Sequence, residues 1–192
     1  MRILERIKAR FTPAPEPVRA VVAASPDADE RVLAWGVLVH GGWLVATTRG
    51  LRSVPADLEL PAAGEVAVLP WHEVGTARWA AAGDGGTLTV VPLTEVEPGV
   101  QARLPAQRHV LRDAGELPGT LRTRVDRTVV TSQRHPLPGG GSVLLVARRV
   151  PGQPVREWSV VFDDAVDRND PAARSVARER LAAAVAADDP RR

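Results

Sequence analysis

The feature that most constrains the fold is the spacing of apolar runs between Glu30 and Pro92. Val32 to Val39, Trp43 to Thr48 and Thr87 to Val91 are strand-like, and they are arranged around the stretch Val68-Leu69-Pro70-Trp71-His72-Glu73-Val74. Turn residues recur about every eight to twelve positions, the mark of an antiparallel meander. Gly41-Gly42 predicts a tight hairpin, after which Trp43, Val45 and Thr47 point one way and Leu44, Ala46 and Thr48 the other. Arg49-Gly50 turns the chain into Leu51 to Val54, and Pro55, Pro61 and Gly64 make residues 55 to 65 a loop before a strand at Glu65 to Leu69. Thr76 to Ala81 is a further strand, closed by the hairpin turn Gly83-Asp84-Gly85-Gly86.

A chain of 192 residues can bury an ample core in one large or two small domains. It has no Cys, which rules out a disulfide framework or a thiolate metal site and leads us to expect a cytoplasmic protein. No apolar run approaches the ~20 residues of a spanning helix, and no h-region with a small-residue cleavage site opens the chain. The net charge is only +2, but it is unevenly spread. Residues 25 to 100 carry four basic and ten acidic side chains, net −6, whereas residues 101 to 150 carry nine Arg against three acids, net +6. Two oppositely charged stretches follow.

Residues 1 to 11 place Ile3, Leu4, Ile7 and Phe11 on one helical face among Arg2, Arg6, Lys8 and Arg10, and Pro13, Pro15 and Pro17 are expected to end any such helix. A short basic arm of this kind, residues 1–18, allows weak contact with an anionic membrane surface, but packing on the body or fraying takes precedence. Ala20 to Ala24 is a short apolar run before the polar turn at Ser25 to Asp29.

The succession Gly-Gly-Trp-Leu-Val-Ala-Thr-Thr-Arg-Gly-Leu from Gly41 to Leu51, Leu-Pro-Trp-His-Glu-Val from Leu69 to Val74 and Gly-Thr-Leu-Thr-Val from Gly86 to Val90 resembles bacterial pleckstrin-homology-like (PH-like) domains. With Arg124-Val125 and the Ala-rich stretch from Ala172 to Ala187, the chain also looks like an uncharacterised actinobacterial protein family. The resemblance implies an α+β fold: a strongly bent antiparallel sheet or partly open barrel over residues 19–104, followed over 105–188 by a helix, three strands and a helix, with a tail at 189–192. It implies no activity.

Past Pro98-Gly99, Gln107 to Asp113 is helical in tendency, and Leu117, Leu121 and Val125 mark a second helical face that packs inward. Thr128 to Gln133 begins a strand and Pro136 to Gly141 turns it. Ser142 to Val150 is a central strand buried on both faces, and Glu157 to Asp163 buries Trp158, Val160 and Phe162. Asp170 predicts an N-cap with Pro171 in the first helical position.

No residue constellation carries a chemistry. His40, His72, His109 and His135 lack metal-ligand spacing. His72 and Glu73, as consecutive strand residues, are expected on opposite faces. Ser132 and His135 lack the glycine elbow and third group of a hydrolase. Gly139-Gly140-Gly141-Ser142 precedes a strand, not a helix, and has no lysine, so it reads as a hairpin turn and not a phosphate loop. The acidic run from Asp163 to Asp170 lacks the central glycine and terminal glutamate of a calcium loop. Trp35, Trp43, Trp71, Trp79 and Trp158 sit in strand-like surroundings, and most are expected in the core, their indole N–H groups partnered at its rim.

The sequence therefore points to a non-enzymatic PH-like binding or scaffold module with a protein partner and no cofactor or metal. The alternative is a basic-faced nucleic-acid binder, with a cryptic hydrolase third. Arg108, Arg112, Arg122, Arg124 and Arg127 are the candidate surface for an anionic partner. Because the excess Arg are nearly matched by acids elsewhere in the chain, complementary internal pairing is expected in place of a nucleic-acid footprint.

Overall fold

The structure, a computed structural model, describes residues 13–151, 153–167 and 169–188. In chain order the elements are α1 (Glu16–Ala23), β1 (Val32–Leu38), β2 (Trp43–Thr47), β3 (Gly50–Val54), a 3-10 turn (Leu60–Glu65), β4 (Leu69–Pro70), a second 3-10 turn (Trp71–Glu73), β5 (Val74–Ala82) and β6 (Gly85–Glu97). There follow β7 (Val100–Arg103), β8 (Gln107–Asp113), α2 (Leu117–Thr128), β9 (Val129–Pro136), β10 (Ser142–Arg148), β11 (Glu157–Phe162) and α3 (Pro171–Ala187). Among the described residues the protein is thus mixed α+β, its strands are mostly antiparallel, and they close no barrel.

Two compact units form, and each draws on several stretches of the chain. Within the described residues the first takes the chain up to Trp71, then Ala77–Val90 and Gln107–Arg124, while the second takes His72–Thr76, Val91–Ala106 and the chain from Val125 onward.

In the first unit the sheet order is β4-β3-β2-β1-β8-β6, with β5 on β6. One face of its β1–β3 portion presents Trp35, Trp43, Val45 and Val54 to α1, whose Val18 and Val21 are fully buried against them. Burying each valine contributes about 1.5–3 kcal/mol. The prolines expected to end a helix instead start one: Pro15 is the N-cap and Pro17 lies in the first turn, where a missing N–H costs nothing. The expected helical face of residues 1 to 11 lies outside the described residues, and residues 16–18 of the proposed arm belong to α1.

The opposite face is governed by Gly36. A Cβ there would lie 2.7 Å from Leu111 Cδ2 and 3.3 Å from Leu117 Cδ2, so the absent side chain is what lets β8 and the start of α2 approach β1. Gln107 to Asp113, expected to be helical, is β8. Its alternation buries Leu111 between β1 and β6 and turns Arg108, Val110 and Arg112 outward, and ladder pairing on both sides overrides the modest helix propensity of Arg, Gln and Leu. The strand expected at Glu65 to Leu69 shrinks to Leu69–Pro70 after the 3-10 turn.

Trp71 is the plug of this unit. It is 2% exposed, and its Nε1 donates to the Thr47 carbonyl at 3.0 Å. Trp35 and Trp43 are partly buried at the rim of the α1 cluster, and Trp79 and Trp158 are likewise partly buried, so of the five tryptophans Trp71 alone is fully in the core.

In the second unit the order is β6-β7-β11-β10-β9, with β7 and β11 parallel and the remaining pairs antiparallel. β10 is buried on both faces, as its apolar run requires. Val143 and Leu145 meet Ala173 and Ala177 of α3, while Val146 packs with Leu93 and Val161 on the other side. β11 goes beyond the expected alternation: Ser159 and Val161 are buried as well as Val160 and Phe162. Asp170 caps α3 by accepting from the Ala172 and Ala173 N–H groups, with Pro171 at the first helical position. Trp158 donates its indole N–H to Asp188 at 2.9 Å. Gly139, Gly140 and Gly141 all have positive φ and form the β9–β10 hairpin turn.

Replacing Trp71 by Ala should cost roughly 3 to 5 kcal/mol in denaturant titration, as large buried aromatics do. Trp71→Phe keeps most of the packing and loses the bond to Thr47, so its expected cost is nearer to about 1 kcal/mol plus the unpaired carbonyl. A loss under about 1 kcal/mol for the alanine variant would place the side chain outside the core.

Candidate functional site: a basic sheet face and a buried ion pair

β8 lies between β1 and β6, and its alternation decides where the basic residues go. Leu111 and His109 face inward, opposite Gly86 and Leu88 of β6. Arg108, Val110 and Arg112 face outward with Thr89 and Thr87 opposite the first two, and all three are exposed, Val110 by 42%. The N–H of Val39 donates to the Val110 carbonyl at 2.9 Å, bringing a second exposed valine, 50% accessible, beside the first. Neither Arg108 nor Arg112 has a carboxylate partner among the described residues. The result is an apolar centre flanked by two arginines on one strand.

The other three candidate arginines do not join this face. Arg122 and Arg124 stand on α2, which packs through Leu117 on the Leu111 side of the sheet, opposite to Arg108 and Arg112. Arg127 belongs to the second unit. The remaining Arg of residues 101 to 150 are largely committed. Arg103 binds Asp164 at 2.9 Å, and Arg134 binds both carboxylate oxygens of Asp163 at 2.9 and 2.8 Å. Arg148 is buried, donating at 3.3 Å to the Val74 carbonyl and to Thr128 Oγ1, and burial lowers its pKa. Internal pairing therefore occurs, but the acids that Arg103 and Arg134 meet come from Asp163 and Asp164, not from the acidic meander of residues 25 to 100.

The histidines join no metal-binding cluster among the described residues. His72 and Glu73, expected on opposite faces, sit in the 3-10 turn, where strand alternation does not apply, and His72 Nε2 lies 3.8 Å from Glu73 Oε1. Ser132 and His135 lie three apart on β9 and so project to opposite faces. His109 is held toward its neutral form by burial, with Leu88 opposite it in the ladder. Among the described residues no three His, Asp or Glu side chains gather where a metal could bind.

The polar centre that sequence reasoning missed is Glu30 with Arg52. Arg52 Nε and Nη2 donate to Glu30 Oε1 at 2.9 Å and Oε2 at 2.7 Å, Ser25 Oγ donates to Oε2 at 2.5 Å, and Arg52 Nη1 donates to the Val66 carbonyl. The side chains are 6% and 1% exposed for Arg52 and Glu30. Burial by itself raises the Glu30 pKa, but the hydrogen bonds from Arg52, Ser25 and Thr47 outweigh it and bring the carboxyl from 4.5 down to about 2. Beside it, Arg49 pairs with Asp27, and an open cleft of about 360 Å³ runs between α1 and β1, lined by Arg19, Val22, Arg31 and Val32. Because the Glu30 carboxylate is already saturated with donors, it offers this cleft no free acid or base. Nothing in the spacing of Glu30 and Arg52 announces the pair, since they meet only when β3 and the turn before β1 are assembled.

No family model matches the chain, and no curated protein or solved structure matches it.

A folded pKa below the unfolded one means that Glu30 stabilises the protein fully above about pH 4.5, and that this contribution is lost as the pH falls toward 2. Arg52→Met, which leaves a buried carboxylate alone, should cost about 3–5 kcal/mol at neutral pH, whereas Glu30→Leu with Arg52→Met should recover most of it. Stability curves between pH 2 and 7 check both, and an Arg52→Met loss of under about 1 kcal/mol would show the pair to be incidental.

Proposed function

We propose that the chain is a non-enzymatic binding module of the pleckstrin-homology-like kind, and that the outer face of β8 is where it engages an acidic protein partner. The observation that carries this reading is the trio Arg108, Val110 and Arg112, exposed on one strand with Val39 alongside and, among the described residues, no carboxylate to neutralise it. Exposed apolar surface bordered by unpaired arginines is the composition of protein contact sites, where Arg supplies charge-assisted bonds and the aliphatic centre supplies desolvation. The PH-like assignment is supported by the meander of β1 to β3 and by the helix that packs on each face of it. A non-enzymatic role is supported by the projection of Ser132 and His135 to opposite faces of β9 and by the saturation of Glu30.

A nucleic-acid role is the weaker reading, because Arg103, Arg134 and Arg148 are engaged inside the second unit and Arg108 and Arg112 stand on the opposite side of the sheet from Arg122 and Arg124. A footprint of six or more phosphates would lose about a thousandfold or more in affinity between 50 and 200 mM salt. Fluorescence anisotropy with single- and double-stranded oligonucleotides should show no sub-micromolar binding at 150 mM salt. In affinity capture after nuclease treatment, the wild type should retain a protein that Arg108→Glu with Arg112→Glu does not. An identical captured set for the two would remove the β8 face from consideration.

A further inference from the structure

Among the described residues the sheet of the second unit ends at β9, which pairs only with β10. The direction of its backbone groups follows from two ladders. Leu137 N–H donates to the Gly141 carbonyl at 3.1 Å, and Asp163 N–H donates to the Ser142 carbonyl at 3.1 Å. Ser142 therefore bonds toward β11, and His135, Gln133 and Thr131 are the β9 residues that bond toward β10 through Val143, Leu145 and Ala147. Ser132 and Arg134 consequently aim their N–H and C=O groups away from the sheet, and both residues are exposed.

Open edges of this sort are usually blunted by lysine, proline, a bulge or an inward-pointing charge. Here the protection is confined to the ends. A register shift opposite Ala147 and Arg148 marks a bulge at Val129–Val130, and Pro136 closes the other end. Arg134, the one charged side chain on the strand, is folded back onto Asp163 and Ser142. The middle is left open.

We infer that β9 is a self-association edge, pairing antiparallel with β9 of a second copy of this chain about a two-fold axis at Ser132. The occupant is fixed by self-complementarity. With Ser132 opposite its own copy, Arg134 faces Val130, Gln133 faces Thr131, and no like charges oppose one another. Shifting the axis to Gln133 sets the edge of Val130 against Pro136, which has no N–H to give. Shifting it to Arg134 brings two arginines together and sets Ser132 against the same proline. Only the Ser132 register keeps Pro136 out of the ladder and so gives each paired outward carbonyl an N–H. Because the bulge and the proline limit the edge to a few residues, and the contact is isologous, the pairing closes at two chains and does not propagate into a fibre. An edge this short buries less than a standard interface, so the dimer is weak and reversible.

The absence of Cys makes the test specific. Sedimentation equilibrium of the full chain from about 10 µM to 1 mM, the range of weak contacts, should show a reversible passage from one chain to two. Ser132→Pro removes an outward N–H that β10 does not use, and should give a monomer with an unchanged far-ultraviolet spectrum. Under mild oxidation Ser132→Cys should form a disulfide-linked dimer, since facing residues in such a ladder stand about 5.5 Å apart at Cα, within disulfide reach. Arg108→Cys, on the other unit, should crosslink at least tenfold more slowly. If Ser132→Pro unfolds, the cysteine pair still decides. A chain that stays monomeric to 1 mM overturns the inference, whether or not it captures an added extended peptide, and so does equal crosslinking of the two cysteine variants. Loss of partner capture by the Arg108 and Arg112 variant leaves this result unmoved, because the edge and the β8 face lie on different units.

Discussion

The first unit depends on one buried ion pair. Glu30 closes the turn after α1, Arg52 lies on β3, and the Val66 carbonyl belongs to the loop before β4, so a single guanidinium ties three segments that are far apart in sequence. Such a pair gains little net stability against the cost of desolvating both ions, but either partner left alone in the interior is severely penalised. Its effect is therefore on specificity. Any packing in which the turn at Ser25 to Glu30 slides along β3 strands a charge, and the placement of α1 over Val45 and Val54 follows from that.

Gly36 does the corresponding work on the other face. Because it presents no Cβ, Leu111 and Leu117 come against β1, and that close approach is what recruits β8 into the sheet. Once Leu111 is inside, alternation leaves Arg108, Val110 and Arg112 outside with no choice in the matter. The basic face is thus a consequence of packing: one buried leucine on a strand whose other face carries Arg108, Val110 and Arg112.

The charge asymmetry of the sequence resolves in an unexpected way. The arginines after residue 100 are not neutralised by the acidic meander, whose Glu30 and Asp27 find Arg52 and Arg49 within the same stretch. Arg103 and Arg134 instead meet Asp164 and Asp163, which follow β11, and Glu97 meets Arg174 and Arg178 of α3. Each of these ion pairs lies within a single unit. Arg108 and Arg112 have no carboxylate partner among the described residues, and they are the pair on which the proposed partner surface rests.

What the sequence by itself determined is what depends on neighbours along the chain: the glycine hairpins, the doubly buried run of β10, the Asp170 cap with its following proline, and the burial of Trp71. These follow from φ preference, from apolar runs of strand length and from side-chain bonds spanning two or three residues. The tertiary structure decided whatever depends on a distant partner. Gln107 to Asp113 is a strand because β1 and β6 offer ladders on both sides, and Pro15 and Pro17 begin a helix because Val18 and Val21 find Val45 and Val54 to cover. Val100 lies parallel to Val160 because the chain returns to its sheet some sixty positions later. The same holds for the bidentate grip of Arg52 on Glu30 and for the open edge of β9. Local sequence fixes φ, ψ and periodicity, whereas the free energy that selects among compatible local states comes from burial and hydrogen bonds between segments that the sequence does not place side by side.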